Sequence, residues 1–271
     1  MKRILVLILL CCALGVQAQK VGFSLAGGAA LGYAHLGFLQ AMDEADIKPD
    51  CIVGTSMGAI MGMMYAAGYS PLEIKQIIKD EHMDQLLHLA RPGKNHKGGL
   101  ISTQSIQEVL LKYVPHNNFD SLKTRFYCCT FNMDSLTPVY KGHDTNMVQY
   151  VMASASMPFI FAPQMIDSSY YVDGGIHDNQ PIQPLLDENC TRRIASFLVL
   201  EKPGKYKNIH TLWMHAYSYS TYLTAFRNLD QFTDVVTIDP DDLWLQDFKA
   251  VDKLYDIGYK AGKEYLKSKR Q

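Results

Sequence analysis

The sequence predicts one α/β domain built in three layers, with a central, mostly parallel sheet flanked by helices. Three observations carry this. Short apolar runs of strand length alternate with stretches of helical periodicity from residue 21 onward. The 271 residues are 48% hydrophobic and 20% charged, a globular balance with enough apolar material for one large core. No repeat and no linker divides the chain after its first residues. The 26 basic and 27 acidic residues leave a formal net charge of −1 with no dominant basic patch, which speaks against a nucleic-acid partner.

Residues 1–18 read as a secretory signal peptide. Met1, Lys2 and Arg3 are a cationic start, residues 4–16 are almost wholly apolar, and Val16 and Ala18 put small side chains where cleavage before Gln19 needs them. The apolar run is shorter than the roughly 20 residues that span a bilayer. An uncleaved anchor is the competing reading. A lipoprotein is weaker, because bulky Leu10 precedes Cys11. The expectation is therefore export to a periplasmic or secreted location, with residues 19–271 as the working domain. Export would leave Cys51, Cys128, Cys129 and Cys190 in an oxidising place. Their spacing fits no zinc pattern, and burial as small hydrophobes is the plainer reading, with a bridge from Cys51 or Cys190 left open.

Along the domain, residues 21–25 form a strand running into glycines. Leu31, Ala34, Phe38, Met42 and Ala45 then mark one face of a helix. Residues 51–53 are a second strand, followed by a small apolar helix over 57–67 that Gly68 ends. Ser70, Pro71 and Glu73 start the next helix as a capping box. Residues 91–99 are the clearest loop, and 82–99 read as a connection or a lid. Helices follow at 103–113 and 147–155, and strands at 126–133, 138–140, 170–172, 195–200 and 235–238. A closing helix over 254–267 turns Leu254, Ile257, Ala261 and Leu266 inward.

Three turns carry chemistry. Gly54-Thr55-Ser56-Met57-Gly58 sits between a strand and a helix, the context in which a sharp turn exposes a serine hydroxyl and helix amides favour negative charge beside it. Gly27-Gly28-Ala29-Ala30-Leu31-Gly32 is a glycine-rich turn that presents backbone N–H groups. It fits phosphate cradles poorly, since no Gly-Lys-Ser/Thr follows and G-x-G-x-x-G fails at Ala29. Asp173-Gly174-Gly175 places an acid at a strand end, where the paired glycines signal crowding.

Together with Ala34-His35-Leu36-Gly37, Ala153-Ser154-Ala155-Ser156-Met157-Pro158, Tyr171-Val172, Asn179 and Pro181, these residues resemble the patatin-like phospholipase family, in a short, exported, single-domain bacterial form. The match runs from residue 21 to about 200 and is loose beyond. The resemblance implies a Ser–Asp dyad, with Ser56 as nucleophile and Asp173 as general base. It implies an oxyanion hole from the N–H groups of Gly27, Gly28 and Ala29, with Gly32, Gly54, Gly58, Gly174 and Gly175 in support. It implies lipid acyl esters as substrates, phospholipase A or lysophospholipase chemistry, a peripheral membrane contact, and no cofactor or metal. The chain departs from the family pattern at Ala29, where a third glycine is usual, and at Leu31, where Arg or Lys is usual. A degenerate member that binds lipid or a partner without turnover is therefore one alternative. A Ser-His-Asp triad using His210 or His215 is another.

His35 reads as a hydrogen-bonded packing residue, and His177 as a loop residue or a wall of the cleft. The aromatics of 206–226 (Tyr206, Trp213, Tyr217, Tyr219, Tyr222, Phe226) read as helix packing or as an acyl-chain wall.

Overall fold

The computed structural model describes residues 19–83, 103–200 and 209–269. Residues 1–18, read as a signal peptide, and residues 91–99, read as a loop, lie outside these residues.

The described residues form an eight-stranded mixed sheet. Five strands run parallel in the order β3-β2-β1-β7-β8, where β1 is Val21–Leu25, β2 Cys51–Thr55, β3 Arg125–Asn132, β7 Arg192–Leu198 and β8 Asp234–Ile238. Three more strands are antiparallel to their neighbours. β4 (Thr137–Lys141) and β6 (Ser169–Asp173) pair with β3, and β5 (Gln164–Ile166) pairs with β6.

Alternation along the central strands divides two cores. Phe23, Leu25, Ile52, Phe126 and Cys128 point into the larger one, which is covered by α1 (Ala34–Glu44), α2 (Met57–Ala66), α5 (Met147–Ser154) and α8 (Val251–Ser268). Cys51, Val53 and Ala195 point the other way, against Leu185 of α6 (Gln183–Asp187). On that second face Phe197 of β7 packs on Tyr222 and Phe226, which belong to α7 (Ile209–Ala225) and the turn after it. The predicted layers are thus present.

Local corrections are small. The helix expected from Leu31 opens instead as a 3-10 turn, Ala29–Tyr33, and becomes α-helical at Ala34. α3 (Pro71–Asp80) carries the capping box as read, and α4 spans Gln104–Tyr113. Short β5 and α6 left too little periodicity to be read. α2 is buried around almost its whole circumference, as its apolar sequence requires. Cys51, Cys128, Cys129 and Cys190 are all buried free thiols.

Candidate active site

The glycine turn and Ser56 leave the carboxyl ends of β1 and β2, where parallel sheets leave crevices for ligands. β3 brings Asp173 to them. β4 occupies one edge of β3 from Cys128 to Asn132, so β2 and β6 must share the other edge. β2 runs along it until Thr55 faces Cys129, and β6 arrives from the opposite direction until Asp173 faces Thr130. Cys129 and Thr130 are consecutive, so the two strands meet end to end. Ser56 and Asp173 stand at that junction and line one cleft of about 280 Å3, counted with its open mouth.

Local geometry sharpens each turn. Ser56 sits at φ 55°, ψ −124°, a left-handed conformation for a non-glycine residue, and opens α2. A side chain at Gly58 would run into the carbonyls of Leu25 and Ala26, and one at Gly54 into Gly58 itself. The Ser56 N–H donates to the Ser154 hydroxyl at 2.9 Å, and that hydroxyl donates to the Cys129 carbonyl at 2.5 Å. Two residues on, the Ser156 carbonyl accepts the Asp173 N–H at 3.0 Å. One segment therefore holds both candidate groups. The Gly175 N–H donates to Asp173 Oδ1 at 2.8 Å, and a side chain at Gly174 would strike the Cys129 carbonyl.

Asp173 is buried, at 2% exposure. Burial pushes its carboxyl up to about 7, against the opposing hydrogen bonds from the Gly175 N–H and the Ser56 side chain. The acid is thus poised to be ionised or protonated near neutrality.

The glycine turn is built differently from the expectation in one respect. The Gly27 N–H is taken by the Asn179 carbonyl at 3.2 Å, and Asn179 Nδ2 donates to the Gly27 carbonyl at 3.1 Å. Gly27 is thereby removed as an oxyanion donor and becomes the clamp between the first turn and the Asp173 turn. Ala30 donates to the Leu245 carbonyl. Among the described residues, the N–H groups of Gly28 and Ala29 are left without a protein acceptor, and both residues line the cleft. Ala29 holds φ 46°, so the backbone keeps the conformation that a glycine would take there without strain. Gly32 supports the turn by leaving room for Met57, whose Cγ would lie 2.5 Å from a side chain at that position. Leu31 is buried in the core.

His35 is a packing residue as read. Its Nε2–H donates to the Ala26 carbonyl at 2.8 Å, and Nδ1 meets the Ser196 hydroxyl at 2.8 Å. Burial lowers it to about 4, so it is neutral at ordinary pH. His177 stacks on Phe131, and His215 lies against Trp244. Neither lines the cleft, and the side chain of His210 lies outside the described residues. The remaining walls are Met157, Leu200 and Leu245, with Tyr217, Ser218 and Thr221 from α7. Sequence reasoning assigned no chemistry to Asn179 or Ser154, although both fall in the segments that carried the resemblance. Tyr217 was marked only within an aromatic-rich stretch. Among the described residues, no three His, Cys, Asp or Glu side chains are grouped to hold a metal ion.

Comparison with known proteins settles the lineage. The model of the patatin-like phospholipases matches residues 23–186. The chain belongs to the patatin-like phospholipase family. Among patatin-like relatives, the chain is 26% identical to lysophospholipase nte1 of Aspergillus terreus over 284 residues, covering 92% of this chain and 18% of that protein. It is 27% identical to lysophospholipase NTE1 of Saccharomyces cerevisiae over 183 residues, covering 65% of this chain and 10% of that one. The chain therefore spans less than a fifth of the length of these curated relatives. In solved structures, VipD of Legionella pneumophila shares the fold, with a TM-score of 0.54 at 14% identity over 91% of this chain and 67% of that one. The patatin-like match includes the turns that carry Gly28, Ser56 and Asp173 but ends before Leu200, α7 and Leu245, which supply part of the cleft wall.

Proposed function

We propose that the protein is a serine hydrolase of lipid acyl esters, of the phospholipase A or lysophospholipase type. In this reading Ser56 is the nucleophile and Asp173 the general base. The observation that carries it is the end-to-end meeting of β2 and β6, which sets a strained, hydrogen-bonded serine against a buried carboxyl beside two unengaged N–H groups. Ser56 Oγ attacks the acyl carbon while Asp173 takes its proton. Gly28 and Ala29 N–H receive the oxyanion. Asp173 then protonates the leaving alcohol, and afterwards takes a proton from the water that frees the acyl group.

A lipid substrate suits the surroundings. Ile209, Trp213, Tyr217 and Thr221 recur at four-residue spacing along α7, so they form one stripe from the helix start to the cleft. Ile209 is 80% exposed, and Phe159, 75% exposed, packs edge-on against Trp213. An acyl chain and a membrane surface could both use such a stripe. The cationic and apolar start of the chain supports export. The lysophospholipase names of the relatives point to the same substrate class. The alternative of binding without turnover rested on Ala29 and Leu31, and the loop conformation kept at Ala29 weighs against it.

Ser56→Ala and Asp173→Asn should each lower hydrolysis of a p-nitrophenyl ester and of a lysophospholipid by at least about a thousandfold. A fluorophosphonate probe should label the wild type and not Ser56→Ala. Undiminished turnover in either purified variant would reject the dyad.

A further inference from the structure

The Tyr217 hydroxyl is buried, has no hydrogen-bond partner among the described residues, and belongs to a side chain that lines the cleft with Ser56 and Asp173. Leaving such a group unpaired forfeits its hydration without a replacement, so an unpaired hydroxyl at a cleft wall calls for a ligand atom. The ring stacks on Trp213 at 5.3 Å between centroids. Farther along α7, the Thr224 hydroxyl donates to the Gly175 carbonyl at 3.0 Å and accepts the Asn179 N–H at 3.2 Å. α7 is thus tied to the same turn that carries Asp173.

We propose that Tyr217 is a further catalytic residue, whose hydroxyl donates a hydrogen bond to the leaving oxygen of the substrate ester. The assignment rests on the Ser56–Asp173 reading above, and position selects the leaving oxygen over the oxyanion. The carbonyl oxygen is the business of the glycine turn, whereas the leaving oxygen must face Asp173, which hands it a proton. Tyr217 lies one helical turn before Thr221, whose methyl group would meet a side chain at Gly175 at 3.4 Å, so this stretch of α7 faces the Asp173 turn. Burial and the carboxylate together push the phenol well above its usual range, so it stays protonated and remains a donor. In the acylation step the Ser56 Oγ–acyl carbon bond forms and the bond from that carbon to the leaving oxygen breaks. The serine proton passes to Asp173 and on to the leaving oxygen, and Tyr217 keeps its own proton throughout.

The role has a signature that loss of packing lacks. An alkoxide leaving from glycerol builds up far more charge than a p-nitrophenolate, so it gains more from a donor. Steady-state kinetics of wild type, Tyr217→Phe and Ser56→Ala should be compared on a monoacylglycerol and on the p-nitrophenyl ester of the same acyl chain. Tyr217→Phe should lower kcat on the glycerol ester by roughly 10- to 100-fold, and at least tenfold less on the p-nitrophenyl ester, with an unchanged or higher Tm. Equal loss on the two esters, no loss on either, or a lower Tm would overturn the assignment to Tyr217 while leaving the dyad in place. Hydrolysis that survives in Ser56→Ala, or a wild type that cleaves neither ester, would overturn the dyad and this role with it.

Discussion

In the proposed mechanism Asp173 acts as a base in a place that disfavours its charge. Because its carboxyl is pushed up to about 7 by burial, kcat/KM on a neutral ester should rise with pH through a limb centred near 7, read directly from a pH–rate profile. The sign for stability is the opposite. An ordinary unfolded aspartate titrates near 3.9, so between about pH 4 and 7 only the folded chain holds this proton, and the contribution of Asp173 to stability falls as pH rises. Asp173→Asn should abolish both the activity and this decline, which urea unfolding at pH 5 and pH 8 would show. A second residue-scale test concerns Ala29, held at φ 46°. A left-handed alanine costs roughly 1 kcal/mol, so Ala29→Gly should raise unfolding stability by up to about 1 kcal/mol in urea titration, with activity retained. Lower stability would mean that the turn prefers the alanine for its contacts.

At the scale of elements, the two candidate groups were legible as turns but their meeting was not. Gly54-Thr55-Ser56-Met57-Gly58 and Asp173-Gly174-Gly175 declare themselves because a sharp turn must be written in neighbouring residues, where the backbone has no room for side chains. That β2 and β6 share one edge of β3 is a long-range pairing, and such pairings leave no mark in local sequence. The loss of Gly27 as a donor was hidden for the same reason, since its partner Asn179 is distant in the chain. The length of α7 was obscured by aromatics on all sides, which give a weak helical pattern. Ser154 now gains a definite expectation. Its hydroxyl lies between the Ser56 N–H and the Cys129 carbonyl at the β2–β6 junction, fully buried. Ser154→Ala leaves both groups unpaired, at a cost of roughly 1–3 kcal/mol each. The variant should lose stability in urea titration and lose kcat more than KM on the p-nitrophenyl ester. An unchanged kcat would show that Ser56 is positioned without it.

Across the whole molecule, the cleft depends on a contact made at the far end of the chain. α8 lies against α1 with glycine facing backbone on each side: a side chain at Gly37 would strike the Tyr255 carbonyl, and one at Gly258 the Ala34 carbonyl. The helices therefore approach more closely than side chains permit, and Phe38 and Leu254 are fully buried. α1 also carries His35, next to Ala34, and the His35 ring holds the Ala26 carbonyl where β1 turns into the glycine loop. Displacing α8 must move α1, and moving α1 must disturb the Gly28 and Ala29 N–H groups. Gly258→Ala tests this chain of contacts without touching the cleft. The added methyl would overpack the contact at a cost of about 1–3 kcal/mol, so Tm should fall by several degrees. Turnover of the p-nitrophenyl ester, measured well below that Tm, should fall as well, while the pH limb set by Asp173 should stay near 7. A lower Tm with full turnover would mean that Asn179 and the Leu245 carbonyl hold the glycine loop without help from α8, which then serves only the core.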